Sequence, residues 1–188
     1  NKISNQSKIN NFHKNHLNGY FSASMIEVPF EEGFTEYADK LINNGIKYFH
    51  IDHGDGKFIS RSFSGIDKVR YLSSINKKLS IHAHLMVQNP MKKNNFNQSI
   101  IDQYIEAGIS RIGFHSRSFN SENELSEAIK YVQKFKCIPG IIIETDFNEI
   151  EEAWNLIKKY SLNWIIIMGV PIGYGGQLFV PNTLEKIK

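Results

Sequence analysis

From residue 20 to the end of the chain, short apolar runs alternate with amphipathic stretches of helical length. The runs at 20–26, 47–51, 79–85, 111–114, 138–143 and 164–168 read as buried strands. The stretches at about 31–44, 64–76, 97–107, 121–135 and 147–159 read as helices, and another helix is expected to start near Pro181. Ser121 with Glu124, and Asp146 with Glu149, have the spacing of a capping box. Gly45 and Gly108 stand where a helix should stop. A repeat of roughly 30 residues per strand–helix unit demands parallel strands joined by crossover helices. Two architectures satisfy this: an open doubly wound sheet and a closed (β/α)8 barrel. At 188 residues, the chain falls short of the ~200 that a barrel usually needs, so length alone favours the open sheet.

Composition narrows the function classes. Hydrophobic residues are 41% and charged residues 22%, which is enough for a packed core. The 22 basic and 19 acidic residues leave a net charge of +3, too mild and too evenly spread to imply nucleic acid. The single cysteine, Cys137, excludes an intrachain disulfide framework and fits a reducing compartment, so a cytoplasmic location is expected. The longest apolar run, 164–168, is strand-sized, and no membrane span is expected. Residues 1–18 are Asn-rich and aperiodic and read as a flexible polar extension, with 19–188 as a single domain.

The strand ends carry the chemistry. In both architectures the site lies at the C-terminal ends of the strands. Those ends offer Ser24, then His50 and Asp52, then His84, His115 and Glu144, then the loop after Met168. Polar groups at every strand end suit a ring better than one crevice. Residues i and i+2 of a strand share a face, so His50 and Asp52 enter one site, and His82 and His84 share another strand's face. If those strands are neighbours, two imidazoles and a carboxylate converge, a donor set for Zn²⁺, Fe²⁺ or Mn²⁺ with positions left for substrate. The plain alternative is a set of hydrogen-bonded strand-end histidines. His53 and Asp55 are weaker candidates, because Gly54 and Gly56 signal a turn. The stretch Gly169-Val-Pro-Ile-Gly-Tyr-Gly-Gly-Gln177 follows a strand, and its glycines can turn N–H groups toward a phosphate. It has neither Walker A nor dinucleotide spacing.

Three ordered blocks then become specific: Phe49-His-Ile-Asp-His-Gly-Asp-Gly-Lys-Phe58, His84-Leu-Met-Val-Gln-Asn-Pro90, and Ile167-Met-Gly-Val-Pro-Ile-Gly-Tyr-Gly-Gly-Gln-Leu-Phe-Val-Pro181. They resemble the ribulose-phosphate 3-epimerase family signatures H-[IV]-D-x-M-D-G-x-F, H-L-M-V-x-x-P and M-x-V-x-P-G-[FY]-G-G-Q-x-F-[IV]-P. Ser22-Ala-Ser-Met-Ile26 resembles the family's opening segment, and the likeness runs in register from about Tyr20 to the end. The resemblance implies a (β/α)8 TIM barrel of the ribulose-phosphate-binding type. It implies an isomerase that inverts carbon 3 of a pentulose 5-phosphate through a metal-stabilised enediolate, interconverting D-ribulose 5-phosphate and D-xylulose 5-phosphate. It implies that His50, Asp52 and His84 bind one divalent ion (Zn, Fe, Mn or Co), and that Asp52 doubles as an acid/base. Ser24, His84, Met86 and Met168 would touch substrate, and the backbone of Gly173, Tyr174, Gly175 and Gly176 would hold its phosphate. His115 matches a family histidine behind the ligands. The implied partner is a small sugar phosphate, with neither nucleic acid nor membrane, and the implied assembly is a homo-oligomer. A hexulose such as allulose 6-phosphate is the alternative substrate. A catalytically dead sugar-phosphate-binding barrel is the alternative class, and a flavodoxin-like nucleotide module would leave the histidine–aspartate convergence unexplained.

The departures are local. Gly54 replaces a methionine, Ile59-Ser60-Arg61 stands where V-P-N is usual, Pro171-Ile172 replaces Asn-Pro, and Glu144 takes a position usually held by Asn. Arg61 and Glu144 are therefore expected to alter contacts at the site. The family's second catalytic Asp, in a V-D-G-G segment on the seventh barrel strand, has no counterpart in this sequence, so the last strand–helix units are expected to lie in a longer chain.

Overall fold

The computed structural model describes residues 20–145 and 150–186. The polar extension expected at 1–18 and the cap expected at Asp146–Glu149 lie outside them. The strands are β1 (Ser22–Ser24), β2 (Tyr48–Asp55), β3 (Ser62–Phe63), β4 (Ser80–Met86), β5 (Arg111–Phe114), β6 (Ile138–Ile143) and β7 (Ile165–Ile167). The helices are α1 (Thr35–Asn43), α2 (Ile66–Ile75), α3 (Ile100–Ala107), α4 (Glu122–Lys134) and α5 (Ile150–Tyr160). Strand and helix alternate along the described chain except where β3 follows β2 directly. Two boundaries differ from expectation. β2 runs on to Asp55 because Gly54 pairs with Phe63 of β3, so the chain turns at Gly56 (φ +72°) rather than before Gly54. The first helix is preceded by a wide turn, Phe30–Phe34, broken at Gly33 (φ +91°).

Local signals explain the helix ends. Ser121 Oγ accepts the N–H of Glu124 at the start of α4, while the Glu124 carboxylate accepts the N–H of Asn120. At α3, Ser99 and Asp102 form a complete reciprocal cap, and Gly108 (φ +92°) ends the helix in the left-handed region.

The parallel strands lie in the order β1-β2-β4-β5-β6-β7, and β3 adds antiparallel to the end of β2. The pleat sorts residues to two faces. Phe49, Ile51, Ile81, Ala83, Leu85, Ile112, Phe114, Ile141 and Ile143 pack outward against Val69, Leu72, Ile101, Ala128, Ile129 and Leu156 of the helices. Inward lie Tyr48, His50, Asp52, His82, His84 and the glycines Gly113 and Gly140. A side chain at Gly113 would meet Ile142 and Ile166, and one at Gly140 would meet Trp164.

Contacts across this inner face show that the sheet curls. The His82 ring meets Tyr48 of β2 at 6.2 Å and Trp164, just before β7, at 5.3 Å. Gly175, in the loop after β7, donates its N–H to Glu27 Oε1, just past β1, at 3.0 Å. Arg61 donates to the carbonyl of Gly173 at 3.0 Å. A flat doubly wound sheet would hold its two edges far apart, so the architecture is a curled barrel-type sheet wrapped by helices. Among the described residues no helix is long and apolar enough to cross a membrane.

Gly65 sits at the seam between barrel and helices. A Cβ there would overlap Ile51 Cγ2 and lie 2.8 Å from both Asp52 O and Tyr104 Oη. Gly65→Ala is expected to destabilise by about 1–3 kcal/mol, read as a lower urea midpoint with an unchanged m-value.

Candidate metal centre and anion-binding loop

The register of β2 and β4 assembles the centre. Asp52 stands opposite His84 and His50 opposite His82, while Ser24 of β1 stands opposite His50. His50 Nε2 lies 3.2 Å and His84 Nδ1 3.0 Å from the same oxygen, Asp52 Oδ1. One ligand atom from each of His50, Asp52 and His84 lies within 4.8 Å of the others. The sequence-based convergence is therefore present in three dimensions.

Charge follows from burial and partners. Burial would raise the Asp52 carboxyl, but hydrogen bonds and charge from His50 and His84 outweigh it and hold it well below the ordinary carboxylate range. Burial lowers His84, offset in part by Asp52. Asp52 is thus an anion whose side chain meets two imidazole nitrogens. Two nitrogens and a carboxylate oxygen aimed at one small volume suit a divalent ion, so the donor set fits the metal that the sequence implied.

His53 and Asp55 are not drawn into this set. His53 lies on the helix-facing side of β2, its Nδ1 3.1 Å from Tyr104 Oη. Asp55 accepts the N–H groups of Lys57, Phe58 and Gln88 and so shapes the turn after β2. His82 shares the inner face with His84 but lies deeper, 3.2 Å from Ser80 Oγ.

Behind His84 lies a chain of polar contacts that spans three strands. His84 Nε2 is 2.8 Å from His115 Nε2, and His115 Nδ1 is 2.8 Å from Glu144 Oε1. Arg117 Nε and Nη2 donate to the two oxygens of Glu144 at 2.6 and 3.1 Å. Burial acts to raise the Glu144 carboxyl, but His115 and Arg117 prevail and hold it at about 2. The Phe58 ring packs at a tilt against His115, centroids 4.9 Å apart, and lies beneath the Arg117 guanidinium at 3.9 Å. His115 and Glu144 were legible as strand-end residues. Arg117 and Phe58 were not, because nothing in their spacing marks them as neighbours.

The glycine-rich loop faces the same end of the sheet. Gly173 is buried, whereas Tyr174, Gly175 and Gly176 are exposed. Gly173 (φ +102°) and Gly176 (φ +69°) use backbone that glycine adopts freely. The Gly175 N–H bond and the Arg61 guanidinium hold the Glu27 carboxyl below its usual range. Arg61 also lies over the Tyr174 ring at 5.0 Å. The Gly175 N–H of this loop thus meets a carboxylate oxygen. Glu27 escaped the sequence reading, since it stands just past the first strand with no motif around it. Met86 is buried at the end of β4 opposite Gly54, and Met168 follows β7, its N–H bonded to Ile143 O. Lys68, another residue without a sequence signal, is buried on α2 and donates to Met25 O at 2.8 Å.

Burial holds His53, His82 and His115 each at about 4, with Arg111 adding to the effect at His82. The unfolded imidazole titrates near 6.5. Between those values the unfolded chain binds more protons, so stability is full above about pH 6.5 and falls as pH drops toward about 4. Each histidine contributes a slope of up to ~1.4 kcal/mol per pH unit. Urea unfolding across this window should show the loss, and a flat profile would contradict it.

Comparison with known proteins places these features in context. The model of the Ribulose-phosphate 3 epimerase family matches residues 22–188. The ribulose-phosphate 3-epimerase of Aquifex aeolicus is 27% identical over 157 residues, covering 81% of this chain and 63% of that protein. The cytoplasmic isoform from Oryza sativa subsp. japonica is 26% identical, covering 88% of this chain and 68% of that one. The Chlamydia pneumoniae enzyme is 28% identical, covering 80% and 59%. This chain thus spans roughly three fifths to two thirds of the length of these relatives. Among solved structures, a 3-hexulose-6-phosphate synthase superposes with a TM-score of 0.60 at 12% identity, covering 88% of this chain and 73% of that one. An aldolase, QR15, superposes with a TM-score of 0.51 at 16% identity, covering 90% and 73%. These two likenesses concern the fold alone.

Proposed function

The chain belongs to the ribulose-phosphate 3-epimerase family, and from that premise we propose that it interconverts D-ribulose 5-phosphate and D-xylulose 5-phosphate. The observation that carries the reading is the meeting of His50, Asp52 and His84 on one face of adjacent strands. The glycine-rich loop, whose Gly175 N–H meets a carboxylate, lies at the same end of the sheet. The reading treats residues 19–188 as one barrel domain, and includes a cytoplasmic location and a homo-oligomeric assembly.

The C3 proton lies alpha to a ketone and is only weakly acidic. Asp52 is held ionised, so it can accept that proton at neutral pH, yet its low pKa makes it a weak base. His50, Asp52 and His84 would hold a divalent ion (Zn, Fe, Mn or Co), which supplies Lewis-acid stabilisation of the negative charge that develops on the sugar oxygens. Asp52 takes the C3 proton on one face of the sugar. Inversion then needs an acid on the opposite face to return a proton. Ser24, in register with His50, contacts the sugar, and Met86 and Met168 wall its reacting carbons. The backbone of Gly173, Tyr174, Gly175 and Gly176 grips the phosphate, with Arg61 beside it, and Glu27 turns out to make way.

The test is exchange of the C3 hydrogen of D-ribulose 5-phosphate in D2O, followed by NMR. Metal-loaded protein is expected to exchange it, a chelator to stop exchange, and added Zn²⁺, Mn²⁺ or Co²⁺ to restore it. Asp52→Asn should slow exchange by about 10²–10⁴-fold. Appearance of xylulose 5-phosphate would show that the second acid is present. Exchange with allulose 6-phosphate alone would reassign the substrate to a hexulose phosphate. Binding of sugar phosphate without exchange would make the protein a binding barrel and sink the epimerase reading.

A further inference from the structure

Gly54 and Arg61, two residues that depart from the family signatures, meet in space. A Cβ at position 54 would lie 2.8 Å from the Arg61 carbonyl oxygen and 2.9 Å from both Ile59 Cδ1 and Phe63 Cε1. The bare glycine thus admits the hairpin segment that carries Arg61, whose carbonyl accepts the Gly56 N–H at 3.0 Å. The Arg61 guanidinium lies 5.1 Å from the Phe63 ring centroid and 5.0 Å from that of Tyr174, and its Nη1 donates to Gly173 O at 3.0 Å. Its partner Glu27 is held more loosely. One oxygen, Oε1, accepts both the Gly175 N–H at 3.0 Å and Arg61 Nη1 at 3.2 Å, and the side chain is 56% exposed. Glycine at 175 allows this approach, since a Cβ there would lie 3.0 Å from Glu27 Cγ. Among the described residues, the hydrogen bonds of the Arg61 side chain come from Nη1, which leaves Nε and Nη2 of its fork to meet an incoming oxyanion.

We propose that Arg61 is the side-chain cation of the substrate's phosphate site and that Glu27 is its internal counter-ion: a phosphomonoester dianion takes Arg61 and the Gly175 N–H from the Glu27 carboxylate, which swings into solvent. The proposal rests on the phosphate reading of this loop and adds to it a selector and a competitor. An exposed ion pair is worth little by itself, so a dianion that meets the open edge of the guanidinium and the loop N–H groups displaces a carboxylate bound through one oxygen. Arg61 stays in place because two rings and a carbonyl hold it. An unphosphorylated sugar offers Arg61 no charge and leaves the latch shut, so the pair selects phosphorylated substrates. The shut latch also lowers the apparent affinity for phosphate in proportion to the fraction of molecules that are open.

The test uses the full chain labelled with ¹⁵N, with inorganic phosphate as the probe. Amide spectra report binding at Gly173, Tyr174, Gly175 and Gly176, and the Arg61 side-chain signal reports its partner. Phosphate should shift these signals in the wild-type protein. Glu27→Ala should bind phosphate about 3–10-fold more tightly, because the competitor is gone. Glu27→Gln keeps an acceptor for the Gly175 N–H but no charge for Arg61, and should tighten binding by less. Arg61→Ala should weaken phosphate by about 10-fold or more, and Arg61→Lys, a point charge without the planar fork, should fall between. The sign of the Glu27→Ala effect separates a latch from a brace. If Glu27 merely holds the loop in its binding shape, its removal weakens phosphate. The proposal is overturned if Glu27→Ala binds phosphate no more tightly than wild type, or if Arg61→Ala binds it equally well. If phosphate shifts no loop amide in any of these proteins, the proposal fails together with the phosphate grip of the loop. The epimerase reading is then decided separately, by exchange of the C3 hydrogen.

Discussion

Asp52 stands opposite His84 across the β2–β4 ladder, and a slip of one residue would send the inward set of either strand to the helix face. The outward set prevents this slip. Phe49, Ile51, Ile81, Ala83 and Leu85 are buried against the helices, so a slip of one residue would expose them and bury polar groups in their place. The hydrophobic effect acts on one face of the sheet, and the placement of His50, Asp52 and His84 on the other face is its geometric consequence. Gly65 lets α2 approach that pair closely enough to hold it.

The inner face pays for its polarity by pairing. Asp52 meets His50 and His84, His84 meets His115, His115 meets Glu144, and Glu144 meets Arg117 at the rim. Anion and imidazole alternate along much of this line, so each buried charge lies beside an opposite or polar partner. Small residues make room for it. Gly113 pairs with His84 on one side and with Gly140 on the other, so a central column of the barrel carries no side chains at that level. Ile142, Ile166 and Trp164 fill the remaining space. The glycine-rich loop then meets the end of β1 and the β2–β3 turn through Glu27 and Arg61.

Much of this was legible in the residues. The period of two placed His50 with Asp52 and His82 with His84, and the repeat length required parallel strands. Ser121 and Gly108 marked helix ends that the structure contains. The choice between open sheet and barrel was not settled by length, which pointed the other way. The polar strand ends and the family resemblance pointed to the barrel, as did the contacts of Trp164 with His82. The run of β2 beyond Gly54 was missed because glycines read as a turn until β3 is known to pair there.

What the sequence by itself determined is whatever depends on neighbours along one element: the alternation of strands and helices, the shared face of His50 and Asp52, the glycines of the loop after β7, and the identity of the groups at each strand end. Only the tertiary structure decided what those groups touch. His115 reaches both His84 and Glu144, Arg117 lies on Phe58 across 59 positions of sequence, and Glu27 meets Gly175 across 148. The physical reason is that side-chain periodicity follows from the backbone of a single strand or helix. The curl of a sheet follows from the packing of all its strands at once, and it is that curl which brings these distant residues within hydrogen-bonding and stacking distance.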